Sequence, residues 1–586
     1  MMRQRYPIST APQNDAPVQG TKTSRTPLAI VGVLLAVMLA FAFLQYLGLL
    51  TSGDLGAGSG AAGRDAAVFE ELRRQSELFG VRLHGGVRVG HQDAVGISQR
   101  GIFAHAAIDR KTTIVELPVA CAISAAVARA RSSYVSAALA ANAVANEGGN
   151  AASLTSSTLL AITLVELFIH GGFIGKAEVG TSIGNCDGLL RAFVEDLKLH
   201  LTKDKGFPQH WGQSNGDPVA EKLELEVLAL MNDTEVGLML AQWHRDTDTL
   251  YRQIVDGIGE ERATKDGVTR ALCDLARIAV NSRAFAVPLP NSLAPTAAKE
   301  RQPALLPMID LSNHDLPRPI TPLISPHDVK QHSSSRALAA VKATTNGTVN
   351  LRLNNAALSG HPISVSYGLH ANAKMLVHYG FVTPWVGVLT CLTHARVSLP
   401  ALDVPDLVVW PTRCVETDTE VEKAIRALRW RELRAAGMLD LPEVRCSNLA
   451  RAGQVSRWQG CRWNRAPSPR IELATWGALS SVVAHARKRR RDTLSHLAGL
   501  RIGPSVAHTV ALARAHATQV LDDELVVLEV LADVTEAIGQ ECGTVRAGGE
   551  IEECIARVRK ERGLGAQHAG AHALEFGSES GETTIE

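Results

Sequence analysis

Three stretches far apart in this 586-residue chain set polar side chains inside apolar runs. They are Asn281 to Phe285 (NSRAF), Leu306 to His314 (LPMIDLSNH) and Ile363 to Gly368 (ISVSYG), the last followed by Asn372 and by Tyr379, Gly380 and Phe381. A guanidinium, an amide, an imidazole and phenols are groups that hold and orient a ligand, the guanidinium through charge-assisted bonds. Singly, an Asn–His pair is the ordinary content of a turn, and Tyr–Gly that of a strand end. Their order and company along one chain is what makes them candidates for a shared site.

Positioning such groups falls to the elements around them. Between Val87 and Ile123 short apolar runs alternate with Gly and polar turns, including GIFA at 101–104 and TIVELP at 113–118, which predicts several short strands. From about Ser124 to Ile278 the chain is rich in Ala and Leu at helical spacing, as in Leu159 to Ile169 and Glu221 to Met231, with a Gly/Pro break at 206–218. This predicts a helical insertion at 124–278. Strands are expected again at 349–353 and 363–367, then a helix at 371–379. From Val415 to Arg562 the pattern is helical, with long runs at 416–437, 471–498 and 506–538, and 563–586 reads as a disordered tail. The expected fold class is α+β, followed by an all-α region at 386–562.

These motifs, in this order, resemble the SET family of protein methyltransferases, in the branch of the Rubisco large-subunit lysine methyltransferase and the actin histidine methyltransferase. The family pattern runs G-[LV]-x-A, S-R-x-[FN], [LV]-P-x-x-D-L-x-N-H, a strand ending in Tyr, an Asn shortly after, and a G-F pair behind a short helix. Here these are Gly101 to Ala104 with Ile102 in the second place, Ser282 to Phe285, Leu306 to His314, Tyr367, Asn372, and Gly380 with Phe381. The resemblance covers about Val87 to Pro384 and, less specifically, the helices beyond. Phe207 to Trp211 and Leu223 to Tyr251 resemble two further helical segments of that branch.

The resemblance implies a SET fold at 81–385 with a knot-like crossing, a helical substrate-binding domain at 386–562, and S-adenosyl-L-methionine as cofactor with no metal. Arg283 would hold the cofactor's carboxylate, Asn313 and His314 its amino-acid end and adenine edge. Arg100, Gly101 and Ile102 would form the turn over which it lies, glycine permitting close backbone approach. Tyr367 would be the catalytic residue, orienting rather than abstracting a proton, and Phe285, Tyr379 and Phe381 would line the substrate channel. An aromatic at 285 favours a lysine acceptor of a non-histone protein over histidine. Two departures stand out: Ser98, Gln99 and Arg100 replace the usual acid-and-glycine start of the cofactor loop, and Lys374 stands where the helix after Tyr367 usually carries an acid. A SET-derived scaffold that has lost its cofactor is therefore the alternative from another class.

Composition bounds the rest. A net charge of +1 with 46% apolar residues gives no global field to attract nucleic acid. The basic run Arg487 to Arg491 (RKRRR) is the one local exception, read as a solvated helix face or an acidic-substrate contact rather than a nuclear or nucleic-acid signal. Nine cysteines without any C-x-x-C indicate neither a zinc site nor a disulfide framework. Leu28 to Leu50 is an uncharged stretch of the length that spans a bilayer and is expected to be a single transmembrane helix rather than a signal peptide. The tail 1–27 carries Arg3, Arg5, Lys22 and Arg25 against Asp15, which favours a cytosolic N-terminus, while its Ser/Thr content also fits a mitochondrial presequence. Sidedness stays open between an endomembrane and a mitochondrial membrane, and 51–80 is expected to be a flexible linker.

Overall fold

The computed structural model describes residues 59–94, 97–145, 154–173, 186–203, 206–213, 217–287, 301–314, 337–343, 348–367, 370–383, 395–397, 407–409, 428–433, 435–436, 444–446, 461–463, 469–502, 507–545 and 548–561. The apolar stretch 28–50, the basic tail before it and the tail after 562 lie outside these residues. Among the described residues no helix is long and apolar enough to cross a membrane. The chain divides into two compact units, residues 1–59 with 91–99, and residues 60–90 with 100–586. The second unit holds the candidate site.

Helix α1 (Ser59–Leu78) occupies most of the stretch expected to be a flexible linker. The Gly/Ala spacer signal is confined to its start. Beyond it, Phe69, Leu72 and Ser76 recur at helical spacing on a buried face, with Leu72 fully enclosed. Arg73 bridges Glu70 and Glu77, and Arg74 bridges Glu71, on the exposed side.

An antiparallel-rich sheet follows, built from β1 (Arg82–Leu83), β2 (Val87–Ala94), β3 (Ile97–Ala104) and β4 (Thr113–Pro118). Strand β5 (Ile123–Ser124) then leads into the helical insertion, α2 (Ala125–Arg131), α3 (Ser133–Ala145), α4 (Ser156–His170), α5 (Asp187–Lys203), α6 (Pro218–Leu230), α7 (Glu235–Ile258), α8 (Glu260–Asp266) and α9 (Arg270–Arg283). Local chemistry sets several of these starts. Ser124, Thr155, Asp217, Thr234 and Thr269 each accept a backbone N–H from the first turn of α2, α4, α6, α7 and α9. The buried Glu166 of α4 takes the backbone N–H groups of Ser133 and Tyr134, so a carboxylate supplements the local cap at the start of α3, where Ser132 Oγ accepts from the Val135 N–H.

The chain then returns to strands: β6 (Ala284–Val287), β7 (Gln302–Leu305), β8 (Asn313–His314), β9 (Ala337–Ala343), β10 (Thr348–Leu353) and β11 (Pro362–Val365). The large sheet runs β1-β4-β10-β9-β11-β3-β2, with β8 paired to β11 outside that path, and β5, β7 and β6 form a small sheet. Helix α10 (Asn372–Tyr379) follows β11.

The C-terminal region is not all helical. Strands β12 (Ala395–Val397) and β13 (Leu407–Val409) form one antiparallel pair, and β14 (Val444–Cys446) and β15 (Cys461–Trp463) another. Three residues are too few for a period of two to be told from a period of 3.6, which is why these ladders leave no pattern in the sequence. Helices α11 (Pro469–Gly499), α12 (Ala507–Cys542) and α13 (Gly548–Glu561) complete the chain. Leu497, Ala513, Ala517, Val520 and Leu521 belong to the main core together with the strands and inserted helices, whereas Val527 to Cys542 join Trp476, Val483 and α13 in a second core. Helix α12 is thus shared between two cores.

The expectation of no disulfides is overturned. Cys121 is bonded to Cys186 and Cys542 to Cys554, with Cα atoms 5.3 and 5.8 Å apart, and Cys273 is a buried free thiol. The paired residues stand 65 and 12 apart in sequence, separations that carry no motif, because pairing depends on where the fold brings two Cβ atoms. Four of the five basic residues of the run on α11 are consumed internally. Arg487 pairs with Glu536, Arg489 with Asp233, Arg491 with Glu529, and Arg490 is buried against Glu524 and the carbonyl of Asp233.

Candidate functional site

Strand β11 is the organising element. Its Pro362 and Ile363 pair antiparallel with Phe103 and Ile102 of β3, while Ser364 and Val365 pair in parallel with Asn313 and His314 of β8. Three motifs distant in sequence therefore meet on one strand of four residues, and Tyr367 follows just beyond its end. A two-residue β8 running parallel to β11 is a crossing of one chain segment past another rather than a hairpin.

Asn313 ties this crossing to β3, its Nδ2 donating to the carbonyl oxygen of Arg100 at 2.9 Å. A Cβ at Gly101 would lie 2.9 Å from that Nδ2 and 3.3 Å from the Phe103 ring. Gly101 is therefore the position where a side chain is excluded so that Asn313 can pass. Ile102 points into the core, 1% exposed. The guanidinium of Arg100 is turned away from Asn313, paired with Asp196 of α5 and set 4.9 Å over the ring of Phe69. The structure thus brings the backbone of Arg100 to the crossing and commits its side chain to the helices.

Arg283 ends α9, where its Nη1 donates to the carbonyl oxygen of Asp310 at 3.1 Å. Asp310 is buried, and burial pushes its carboxyl up to about 6 against the pull of Arg283 and then Arg100, with Asp196 adding to the rise. Its Oδ1, the hydroxyl of Ser312 and Nε2 of His314 are buried without a protein partner among the described residues. The sequence does not single out Asp310, Ser312 or Asp196 as site residues. Asp310 is the acid of the L-P-x-x-D-L-x-N-H motif but carries no assigned role there, and Asp196 sits in an ordinary helical pattern.

Tyr367 is fixed from both ends. Its backbone N–H donates to Nδ1 of His314 at 3.0 Å and its hydroxyl donates to the carbonyl oxygen of Ser312 at 3.0 Å. Burial raises the phenol above its ordinary range, with Arg283 opposing and Asp310 adding to the rise. The imidazole of His314 is pushed down to about 4, first by burial and then by His370, so it is neutral near pH 7. Accepting at Nδ1 places the proton of neutral His314 on Nε2.

Aromatic rings continue from there. Tyr367 and Tyr379 stack with centroids 4.9 Å apart, His314 lies 4.9 Å from Tyr367 and 5.7 Å from Phe381, and His370 stacks on Tyr379 at 6.1 Å. Gly380 ends α10 at φ +78, the left-handed position that favours glycine, and this turn sends Phe381 back toward Tyr379 at 6.4 Å. Phe285 packs on the main core and makes no ring contact with this stack among the described residues. Asn372 holds α10 in place: it donates to Asp523 of α12 at 2.7 Å and to the carbonyl of Thr383, and its Oδ1 accepts from the Thr383 N–H. Burial lowers His370, His378 and Lys374 below their ordinary ranges, and the charge on Lys374 adds to the fall of both histidines.

The arrangement offers a cation (Arg283), buried open acceptors and donors at Asp310, Ser312 and His314, a neutral phenol, and a cluster of packed aromatic rings beside them. Such a set suits a zwitterionic ligand at the crossing and an amine or imidazole at the rings. Among the described residues no cluster of His, Cys, Asp and Glu suited to a metal ion occurs.

No protein-family model matches the chain, and no curated protein does. Among solved structures, the chain is similar to the SET domain of LSMT bound to lysine and AdoHcy, at 13% identity and a TM-score of 0.49, covering 83% of this chain and 98% of that one. It is also similar to Rubisco LSMT bound to AdoMet, at 14% identity and a TM-score of 0.47, covering 83% and 99%.

Proposed function

We propose that this chain is an S-adenosyl-L-methionine-dependent protein methyltransferase that transfers the methyl group to a lysine side chain of a non-histone protein. The observation that carries the reading is the doubly anchored Tyr367, set between the β8–β11 crossing and the aromatic stack. Bound at the crossing, the cofactor supplies an electrophilic methyl group on a sulfonium. Arg283 would hold its carboxylate, while Asp310, Ser312 and His314 have the open polar atoms that its ammonium and adenine require.

The chain's own residues account for the rest of the chemistry. A phenol whose pKa is raised by burial remains protonated, so Tyr367 orients oxygen lone pairs and excludes water rather than removing a proton. The carbonyl of Ser312 fixes the direction of its hydroxyl. Methyl transfer moves positive charge from sulfur to nitrogen, and oxygens already in place around that path stabilise it without reorganising. A lysine brought against the ring cluster of Tyr367, Tyr379 and Phe381 leaves water, which lowers its pKa and favours the free amine that must attack.

Two disulfides among the described residues support an oxidising compartment for the folded body. Together with the sequence reading of 28–50 as a single span and of 1–27 as cytosolic, this supports placement in an endomembrane with the body facing the lumen over the mitochondrial alternative. The test of function is incubation of the purified chain with radiolabelled S-adenosylmethionine and lysate, beside Tyr367→Phe. Protein labelling by the native chain alone supports the proposal. Absence of labelling, or equal labelling by both, refutes it, and calorimetry with S-adenosylhomocysteine then tells a scaffold that has lost the cofactor from an enzyme lacking its substrate.

A further inference from the structure

The turn at residues 108–112, just before β4, packs against the end of β10 through a closed set of backbone bonds. Lys111 N–H donates to the Leu353 carbonyl at 2.9 Å, Leu353 N–H to the Thr112 carbonyl at 3.0 Å, and Ile108 and Ala357 exchange two bonds at 2.9 Å. Between the two turns lies a concavity of about 270 Å³ lined by Arg110, Lys111, Arg352, Leu353 and Asn354. Arg352 and Leu353 end β10, the backbone bonds above tie the turn carrying Arg110 and Lys111 to that strand, and three of the five lining residues are cations.

The cations are arranged, not merely present. Arg110 donates from Nε to the Asn354 carbonyl at 2.8 Å, and Arg352 from Nε to the Lys111 carbonyl at 2.5 Å. Each guanidinium is thus tethered to the opposite turn by one nitrogen, leaving its Nη nitrogens without a protein partner among the described residues. Lys111 sits at φ +69, one of two non-glycine residues with a positive φ among the described residues. An L side chain is strained there, and a glycine would relieve it, so this position keeps a charge at a conformational cost. None of the three forms an ion pair among the described residues. The neighbouring Asp109 is exposed and pairs with none of them.

Like charges held together repel unless an anion joins them. Two guanidinium ends and an ammonium around one concavity match a phosphate dianion, whose three terminal oxygens accept from several donors at once; a carboxylate offers only two oxygens. We propose that Arg110, Lys111 and Arg352 form a binding site for a phosphate monoester group. The group can arrive free in solution or on a lipid headgroup. The site is independent of the methyltransferase reading, since none of its residues belongs to the crossing.

The test uses the full chain. Calorimetry with inorganic phosphate and with glycerol 3-phosphate measures the soluble source, and co-sedimentation with phosphatidylcholine vesicles, with and without phosphatidic acid, measures the lipid source. We expect saturable binding that weakens about tenfold for each charge removed in Arg110→Gln, Lys111→Gln and Arg352→Gln. Lys111→Gly removes the charge and the strain together, so it should bind as weakly as Lys111→Gln while melting higher, which separates a binding defect from a folding one. Soluble binding alone identifies free phosphate as the ligand, and phosphatidic acid-dependent capture lost in the variants identifies the headgroup. Binding of neither probe, or binding retained in a natively melting triple variant, overturns the proposal.

Discussion

The backbone N–H of Tyr367 donates to Nδ1 of His314 at 3.0 Å, and their ring centroids lie 4.9 Å apart. The contact needs a neutral imidazole, and burial supplies one by resisting the second proton. The same resistance makes stability depend on pH. His314, His370 and His516 are held at about 4 and His378 at about 3, against an ordinary 6.5. A histidine whose folded pKa is lowered stabilises the fold fully above its unfolded value, and this is lost as pH falls toward the folded one. Asp310, Asp522 and Asp523 are raised to about 6 and act oppositely, stabilising fully below the ordinary 3.8 and losing it as pH rises to about 6. The histidine shifts are larger and more numerous, so the melting temperature should drop between pH 6.5 and 4. A scan of thermal melting across that window checks the sign.

Tyr367→Phe removes one donor and leaves the Ser312 carbonyl without it. Turnover should fall by about 10²-fold or more. Stability should fall by only about 1 kcal/mol, and S-adenosylhomocysteine binding should stay within a few-fold. Turnover kinetics, melting and calorimetry on one preparation read all three.

Gly101→Ala pushes a methyl onto Nδ2 of Asn313 at 2.9 Å. Asn313 must shift and its bond to the Arg100 carbonyl be lost, at roughly 1–3 kcal/mol. The double variant Gly101→Ala/Asn313→Ala should recover part of that stability, although not cofactor affinity, in denaturant melts paired with calorimetry.

How much of the site is legible in the sequence varies with the kind of information. Arg283, Asn313, His314 and Tyr367 announce themselves as polar groups inside apolar runs, and the strand at 363–367 and helix at 371–379 follow from periodicity. The pairing that unites them does not, because β8 is two residues long and gains its partner only through tertiary crossing. Arg100 looks like a cofactor residue by position, yet its guanidinium answers to Asp196 on a helix 96 residues away. Phe285 sits in the motif but not in the ring stack. The cysteine pairs follow from proximity alone.

The internal use of the basic run gives a contrast within five residues. Arg490→Ala leaves Glu524 buried without its guanidinium and should destabilise by about 3–5 kcal/mol. Exposed Lys488, without an ion pair among the described residues, should tolerate Ala within about 0.5 kcal/mol. Urea melts of both variants measure the difference.

Of the two disulfides among the described residues, reduction should be felt more at Cys121–Cys186, which closes a span of 65 residues against 12. The loop-entropy model assigns such a cross-link about 4 kcal/mol. Cys121→Ser/Cys186→Ser should lower the melting temperature as far as a reductant does at that bond, and peptide mapping without reduction should recover the linked pair.

The sharing of α12 between two cores has a consequence for how the molecule comes apart. The half from Ala513 to Leu521 is enclosed by the strands and inserted helices, and the half from Val527 to Cys542 by α11 and α13. A helix of 36 residues cannot fray in its middle without exposing apolar surface on both sides of the break. Asp523 lies between the two halves and is joined at 2.7 Å to Asn372, the first residue of the helix whose Gly380 turn aims Phe381. A load on the C-terminal helices therefore has a short path through Asp523 and Asn372 to the aromatic stack, and the shared helix couples the opening of one core to that of the other.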